Sequence, residues 1–147
     1  MRNYQIYLLR EDVAYDYFGK ERLIYNLFVE KLHAKSREQL NLIEKQINYI
    51  TKPLSVIEIN RFIEKNFKEI SYEHNLQFLY KVETNKVYST ARLGLKNRYI
   101  LLEADGTFDA ETTFFEVLRK YNSCFLAMDF ENNHFGWLNP IKQKRYV

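Results

Sequence analysis

Cysteine, proline and glycine are scarce in this sequence of 147 residues, which contains 1, 2 and 4 of them respectively. A single thiol excludes an internal disulfide framework and any zinc site built on several cysteines. The glycine-rich loops that hold phosphate groups in nucleotide-binding proteins need more glycines than the chain has. No apolar run approaches the ~20 residues that a membrane-spanning helix needs, and no secretory leader follows Met1. These absences favour a cytoplasmic protein that does not associate with membranes.

A large excess of one charge is also lacking, because 22 lysines and arginines face 19 acidic residues, for a net charge of +3. Such a mixed surface permits nucleic acid binding without implying it. What the chain has in excess is aromatic residues, with 12 tyrosines and 11 phenylalanines. These rings fit either a tightly packed core or an exposed docking face. The length and composition predict one folded domain over residues 1–147.

Helical patterns dominate the first half of the chain. A short aromatic and aliphatic segment at residues 3–9 first predicts a strand. Apolar residues then recur at helical spacing over residues 11–32, and Gly19 predicts a break between a short helix and a longer one. Ser36 and Gln39 form a capping box that starts a third helix, which must stop before Pro53. Ser55 is in position to cap a fourth helix.

The apolar period changes from 3.6 to 2 in the second half, where alternating residues predict strands at residues 76–83, 87–93 and 99–103. Asn85 and Lys86 suit a tight connection between the first two of these strands. Asp109 is placed to cap a fifth helix. Residues 124–128 are apolar at every position, as in a strand covered on both faces. The whole pattern predicts an α/β fold with a mixed sheet of about five strands, helices packed against it and a helix-rich N-terminal half.

Candidate catalytic and metal-binding residues are few. His33, His74 and His134 lack the paired spacing of metal ligands. Cys124 has only apolar neighbours downstream, and such surroundings suppress thiol reactivity, so a nucleophile with His134 as its base is disfavoured. An acyltransferase built on a mixed sheet would need a cofactor-binding loop, for which there is no glycine-rich candidate.

Three acidic residues, Asp105, Asp109 and Glu111, are close together in the sequence. Turn formation and the first turn of the predicted helix account for all three, because carboxylates are favoured at such positions. From the residues alone, we therefore expect a soluble α/β binding domain with no evident catalytic or metal-binding site.

A basic and aromatic strip is the main alternative site. Arg92, Lys96 and Arg98, with Tyr88 and Tyr99, lie on two predicted strands, and single-stranded nucleic acid binders use such residues for phosphate contacts and base stacking. The edge of a sheet carries the same residue types to prevent aggregation, and this structural interpretation is favoured. A nucleic-acid-binding domain remains the alternative function.

A second candidate surface is the short helix before Gly19. Tyr15, Tyr17 and Phe18, beside Val13, are more aromatic surface than one short element easily buries. Part of it suits a protein-binding patch, because tyrosines are common anchors in interfaces. Core packing is the more common use of such residues.

Four segments of unusual sequence point to a known family. Residues 114–130 read FFEVLRKYNSCFLAMDF, and residues 136–140 read GWLNP. They closely resemble the C-terminal signature of SirA, a family of sporulation inhibitors of replication in endospore-forming Gram-positive bacteria. YFGKE at 17–21 and EKQINYIT at 44–51 fall in the order and approximate positions expected for that family. The resemblance covers essentially the full chain and is weakest between Pro53 and Arg98.

This resemblance implies a small cytoplasmic regulator, made at the onset of sporulation, that binds the N-terminal domain of the replication initiator DnaA. Binding would block new rounds of chromosome replication by occupying a surface of the initiator, with no direct contact to nucleic acid. The family implies neither catalysis nor a cofactor, and we expect a monomer.

The family also implies where the partner binds. Its initiator-binding surface includes the short helix after the first strand and a neighbouring helix, and the matching positions are Val13, Tyr17 and Gln46. We add Tyr49, which lies three residues after Gln46 and so on the same helical face. The family pattern has Phe where this chain has Val13, and losing a ring at the centre of an interface costs on the order of 1 kcal/mol of binding free energy.

Overall fold

A computed structural model of the chain describes residues 1–68, 70–73, 77–84 and 87–139. Within these residues the chain forms five helices and eight strands, and four of the five helices precede residue 70. The predicted α/β class and the helix-rich N-terminal half are confirmed. In chain order the elements are β1 (Arg2–Leu9), α1 (Glu11–Asp16), α2 (Glu21–Leu32), α3 (Arg37–Ile50), β2 (Thr51–Lys52), α4 (Val56–Asn66), β3 (Ser71–Tyr72), β4 (Tyr80–Thr84), β5 (Ser89–Leu95), β6 (Tyr99–Gly106), α5 (Asp109–Tyr121), β7 (Phe125–Asp129) and β8 (His134–Trp137).

A sheet of eight strands forms the middle layer of the fold. Seven strands lie in the order β3-β4-β5-β6-β1-β7-β8, and β2 pairs with the end of β1. β1 is central, pairing with β6 over residues 2–7 and with β7 over residues 5–8. Buried side chains of α4 and α5 pack on one face of the sheet, and those of α2 and α3 pack on the other. The molecule is therefore a sandwich of helix, sheet and helix layers.

The strand β7, which lies between β1 and β8, shows how the sheet separates two apolar cores. Phe125 and Ala127 belong to the core beneath α4 and α5, whereas Leu126 and Met128 belong to the core beneath α2 and α3. Successive side chains of a strand point to opposite faces, so a strand buried on both faces must be apolar at consecutive positions. The prediction that this segment is covered on both faces is confirmed.

The predicted number of about five strands is wrong, because the sheet has eight. The additional strands are β2, β3 and β8, which have two, two and four residues. Such short strands do not repeat the two-residue alternation often enough to be recognised in a sequence. The start of the predicted strand at Leu76 and the connection at Asn85 and Lys86 lie outside the described residues.

The sheet is antiparallel in every pairing between described strands, whereas a mixed sheet was expected. The reason lies in the position of β1. The helix α5 connects β6 to β7, and a strand, helix and strand in succession commonly join parallel neighbours. Here β1 lies between β6 and β7 and is antiparallel to both. The two strands therefore run in the same direction without pairing.

Two of the three predicted helix starts are confirmed by hydrogen bonds. The hydroxyl of Ser36 accepts from the amide of Gln39 at 3.1 Å at the start of α3, and that of Ser55 accepts from the amide of Glu58 at 3.4 Å at the start of α4. Each bond satisfies an amide that has no partner within its own helix.

The third predicted cap, Asp109, is wrong, because Phe108 occupies the N-cap position of α5 and Asp109 is the first helical residue. Ser89 on β5 supplies the missing acceptor, since its hydroxyl accepts from the amide of Ala110 at 2.9 Å. The start of α5 is thereby attached to the sheet.

Candidate protein-binding site

A hollow of about 280 Å³ opens between the end of α1, the outer side of α2 and the second half of α3. It combines residues from three elements that are consecutive in the chain, and most of its lining is apolar. The side chains that line it are Val13, Tyr17, Leu23, Ile24, Leu27, Glu30, Gln46 and Ile50.

Three of the four predicted partner-binding residues line this hollow. Val13 is only 8% exposed and forms part of its floor, whereas Tyr17 is 38% exposed at its wall. Gln46 approaches from α3 and is exposed. The fold thus brings together residues 13 and 17 with a residue almost thirty positions later in the chain.

The fourth predicted residue, Tyr49, does not line the hollow. It is 68% exposed on α3, and the guanidinium of Arg10 lies 4.7 Å from the centre of its ring. The side chain of Arg10 also forms an ion pair with Asp12 at 3.3 Å. Tyr49 therefore extends the candidate surface beside the hollow and does not form part of its wall.

The contribution of α2 to the hollow was not predicted from the sequence. Leu23 is 58% exposed, Leu27 is half-buried and Glu30 is exposed, and these residues recur at the spacing of one helical face. The helical pattern predicts the buried face of α2 but gives no function to this second apolar side. Two leucines four residues apart outside the buried face are the signal in the sequence, and this spacing alone does not distinguish a binding surface from other solvent-exposed positions.

A sharp turn between α1 and α2 places Tyr17 beside α2. Gly19 has φ of +80°, a conformation that side chains with a Cβ rarely adopt. The carboxylate of Glu21 accepts hydrogen bonds from the Gly19 amide at 2.7 Å and from the indole of Trp137 at 2.8 Å. The predicted break at Gly19 is confirmed, and Glu21 attaches the turn to β8.

Comparison with known proteins identifies the family. The sequence model of the family described as "Sporulation inhibitor of replication protein SirA" matches residues 2–142. The chain belongs to the SirA family. A protein of Bacillus subtilis (strain 168) described by the same words is 38% identical over 148 residues, which cover 99% of this chain and 99% of that protein.

Two residues of the basic strip of this SirA-family protein, Arg92 and Tyr88, are paired with neighbouring side chains. Arg92 forms an ion pair with Glu103 and lies 4.5 Å from the centre of the Phe78 ring. The hydroxyl of Tyr88 donates to Asp105 at 3.1 Å. The expectation that the strip lies at an edge of the sheet is wrong, because β5 lies between β4 and β6, and β6 lies between β5 and β1.

Two further residues of the strip, Tyr99 and Arg98, contact other elements of the fold. Tyr99 is half-buried and stacks on Tyr7 with 5.4 Å between ring centres. Arg98 donates to the hydroxyl of Thr51 at 3.0 Å. The residues proposed for nucleic acid binding are thus used largely to connect elements of the fold.

Of the candidate catalytic residues, His33 and His134 are exposed. Cys124 is buried. His74 lies outside the described residues. Within the described part of the chain, no group of three or more His, Cys, Asp or Glu residues is placed to hold a metal ion. In the same part, no helix combines the length and the apolar character that crossing a membrane requires.

Glu111 lies in the first turn of α5, as predicted, but it also has a role within the core that the sequence did not indicate. It is completely buried and accepts hydrogen bonds from the Arg2 guanidinium and the Tyr4 hydroxyl. Burial and the bond to Glu111 both raise the pKa of Tyr4, and the bond to Glu111 also raises the pKa of Arg2. This network connects β1 to α5 on the face of the sheet opposite the hollow.

Proposed function

We propose that this SirA-family protein inhibits the initiation of chromosome replication during sporulation by binding the N-terminal domain of the initiator DnaA through the hollow between α1, α2 and α3. Family membership supports the role in replication control. The observation that carries the assignment of the site is the convergence of Val13, Tyr17 and Gln46 on one hollow.

The composition of the hollow suits a protein partner. Its apolar part includes Leu23 and Leu27, while Glu30 and Gln46 supply polar groups beside them. Protein interfaces commonly have an apolar centre and a polar rim that fixes orientation. Tyr17 joins both properties, because its ring lines the hollow and its hydroxyl is available for hydrogen bonding. The partner surface that we expect is an apolar projection flanked by hydrogen-bonding groups.

Inhibition on this proposal is steric. The protein occupies a surface of the initiator that replication-promoting partners or initiator self-assembly require, and it does not contact DNA. No bond is made or broken, so the concentration of free protein and its affinity for the initiator determine the extent of inhibition. We expect one protein to bind one initiator domain.

The first prediction is that Tyr17→Ala weakens binding to the DnaA N-terminal domain by at least about fivefold, which corresponds to about 1 kcal/mol. The substitution removes a ring from the wall of the hollow without opening the core. Isothermal titration calorimetry with both purified proteins measures the effect.

Tyr15→Ala is the matched control for this experiment. Tyr15 is an exposed tyrosine on the same short helix, and it does not line the hollow. We expect its removal to leave the affinity within about twofold of the wild type, as is usual for residues outside the centre of an interface. Equal affinities of folded Tyr17→Ala and wild-type proteins would refute this placement of the site.

Titrations at two salt concentrations, with duplex DNA as a parallel ligand, test the function itself. Saturable one-to-one binding to the initiator domain, with little response to DNA, supports the proposal. Contacts to phosphate groups make nucleic acid binding strongly salt-dependent. Salt-sensitive binding to DNA, together with no binding to a folded initiator domain from the same species, would overturn it in favour of the basic strip.

A further inference from the structure

We infer that Arg98 is a positioning residue for the hollow: its guanidinium holds the C-terminal end of α3, the helix that carries Gln46, and so sets the affinity for the partner without touching it. This inference rests on the proposed function. Arg98 does not line the hollow, and it was grouped by sequence with residues of a different proposed site.

The contacts of Arg98 all converge on the end of α3. Its Nη2 atom lies 3.2 Å from the carbonyl oxygen of Asn48, 3.2 Å from that of Thr51 and 3.0 Å from the Thr51 hydroxyl. The Thr51 hydroxyl in turn donates to the carbonyl oxygen of Ile47 at 2.7 Å. This chain of hydrogen bonds reaches from the connection between β5 and β6 to the residue directly after Gln46.

The charge of Arg98 matches the electrostatics of that helix end. The last carbonyl groups of a helix carry partial negative charge and have no partners within the helix. The last turn of α3 contains no basic residue of its own. Among the described residues no carboxylate forms an ion pair with Arg98. Its guanidinium therefore acts as a cation supplied to α3 from another element.

The main chain fixes the same helix end to the start of α1. The amide of Arg10 donates to the carbonyl oxygen of Ile50 at 2.9 Å, and its guanidinium lies 3.4 Å from that of Tyr49. Arg10 directly precedes α1, which carries Val13. With the end of α3 held between Arg98 and Arg10, Gln46 keeps a constant position relative to the floor of the hollow.

The test is a double-mutant cycle on the full chain, in which Arg98→Met is combined with Gln46→Ala. We expect Arg98→Met alone to weaken binding to the DnaA N-terminal domain by about fivefold. Because Arg98 acts through α3, its effect should shrink to about twofold or less when Gln46 has already been removed. A residue that only contributes to global stability would reduce the affinity of both backgrounds equally.

Arg92→Met is the matched control. Arg92 is another half-buried arginine of the strip, and neither it nor its partners Glu103 and Phe78 belong to α3 or line the hollow. We expect its affinity to match that of the wild type. Circular dichroism of every variant at the titration temperature confirms that each protein is folded.

Arg98→Lys provides a second variant if Arg98→Met does not fold. Lysine keeps the charge but lacks the planar fork, so we expect an affinity between the wild type and the Met variant, about threefold below the wild type. The inference is overturned if folded Arg98→Met protein binds the partner with wild-type affinity. If only Arg98→Lys folds, wild-type affinity of that variant overturns it. Equal effects in the two Gln46 backgrounds also overturn it. Wild-type affinity of folded Tyr17→Ala and Gln46→Ala proteins would instead refute the proposed site, so the two failures are distinguishable.

Discussion

At the scale of single residues, the carboxylate of Glu111 is the most deeply buried charge in the described chain. Moving an ion out of water is costly, and the cost is offset only when partners with good geometry surround it. Glu111 has two such partners, the Arg2 guanidinium and the Tyr4 hydroxyl, both on the first strand of the chain. The network thus makes the start of β1 dependent on α5, more than a hundred residues later.

We predict that Glu111→Gln lowers the free energy of unfolding by about 3 kcal/mol, because it leaves the partly buried Arg2 charge without its counterion. Urea denaturation at neutral pH measures the change. The control is Glu116→Gln, which removes an exposed carboxylate from the same helix and a surface ion pair with Arg119 at 3.6 Å. That substitution should change stability by no more than about 0.5 kcal/mol. Equal denaturation midpoints of the two variants would contradict this prediction.

Residues of the candidate site were predictable to different degrees. The family resemblance implied Val13, Tyr17 and Gln46, and all three line the hollow. Helical spacing added Tyr49, which lies beside the hollow against Arg10. The α2 residues were not predicted. Single exposed leucines are common on protein surfaces, so a leucine in the sequence does not by itself indicate a binding surface.

At the scale of secondary structure, the packing of β5 requires a glycine at position 94. A Cβ atom added to Gly94 would lie 1.9 Å from the carbonyl oxygen of Gln77. Backbone atoms from the segment before β4 therefore pack directly against the strand. Contacts of that length never occur, so any side chain here must displace one of the two segments.

Gly94→Ala should accordingly lower the free energy of unfolding by more than about 2 kcal/mol, since overpacking against backbone cannot be relieved by a rotamer change. Gly136→Ala is the matched control in β8, because an added Cβ there meets nothing within 4 Å. We expect that variant to remain within about 1 kcal/mol of the wild type. Thermal denaturation compares the two proteins. Similar midpoints would show that the segment before β4 moves freely away from Gly94.

Elements with long, regular patterns were predicted well, and the short ones were not. The helices α2 to α5 and the alternating strands β4, β5 and β6 repeat their periods over their length, and the capping hydroxyls of Ser36 and Ser55 mark two helix starts. By contrast, β2 and β3 have two residues each. Their strand conformation does not come from local preference. It comes from pairing, of β2 with the distant strand β1 and of β3 with β4.

At the scale of the whole molecule, burial between the layers changes the titration of a central tyrosine. Tyr7 lies in the core beneath α2 and α3, with its ring 4.5 Å from that of Phe28. Removal from water disfavours the ionised phenolate and raises the pKa of Tyr7 from 10.0 to about 12. The folded state therefore holds the proton at pH values where the unfolded chain releases it.

This shift predicts a loss of stability at high pH. The stabilisation is fully present below pH 10 and is lost as the pH rises toward about 12. Across that window Tyr7 lowers the free energy of unfolding by about 1.4 kcal/mol per pH unit. Tyr7→Phe should keep most of the stability at pH 7, because the hydroxyl makes only a 3.5 Å contact with Gln5. The variant should also lose stability less steeply between pH 10 and 12. Urea denaturation at several pH values tests this, and identical slopes would contradict it.

By itself, the sequence determined the helices, the long strands, the two-sided burial of β7 and membership of the SirA family, because each rests on local periodicity or on a long conspicuous segment. Only the tertiary structure decided the position of β1 between β6 and β7, the short strands and the burial of Glu111. It alone assigned Arg98 to the end of α3. Each of these depends on contacts between residues far apart in the chain. Such contacts produce no hydrophobic periodicity that could be recognised in the sequence.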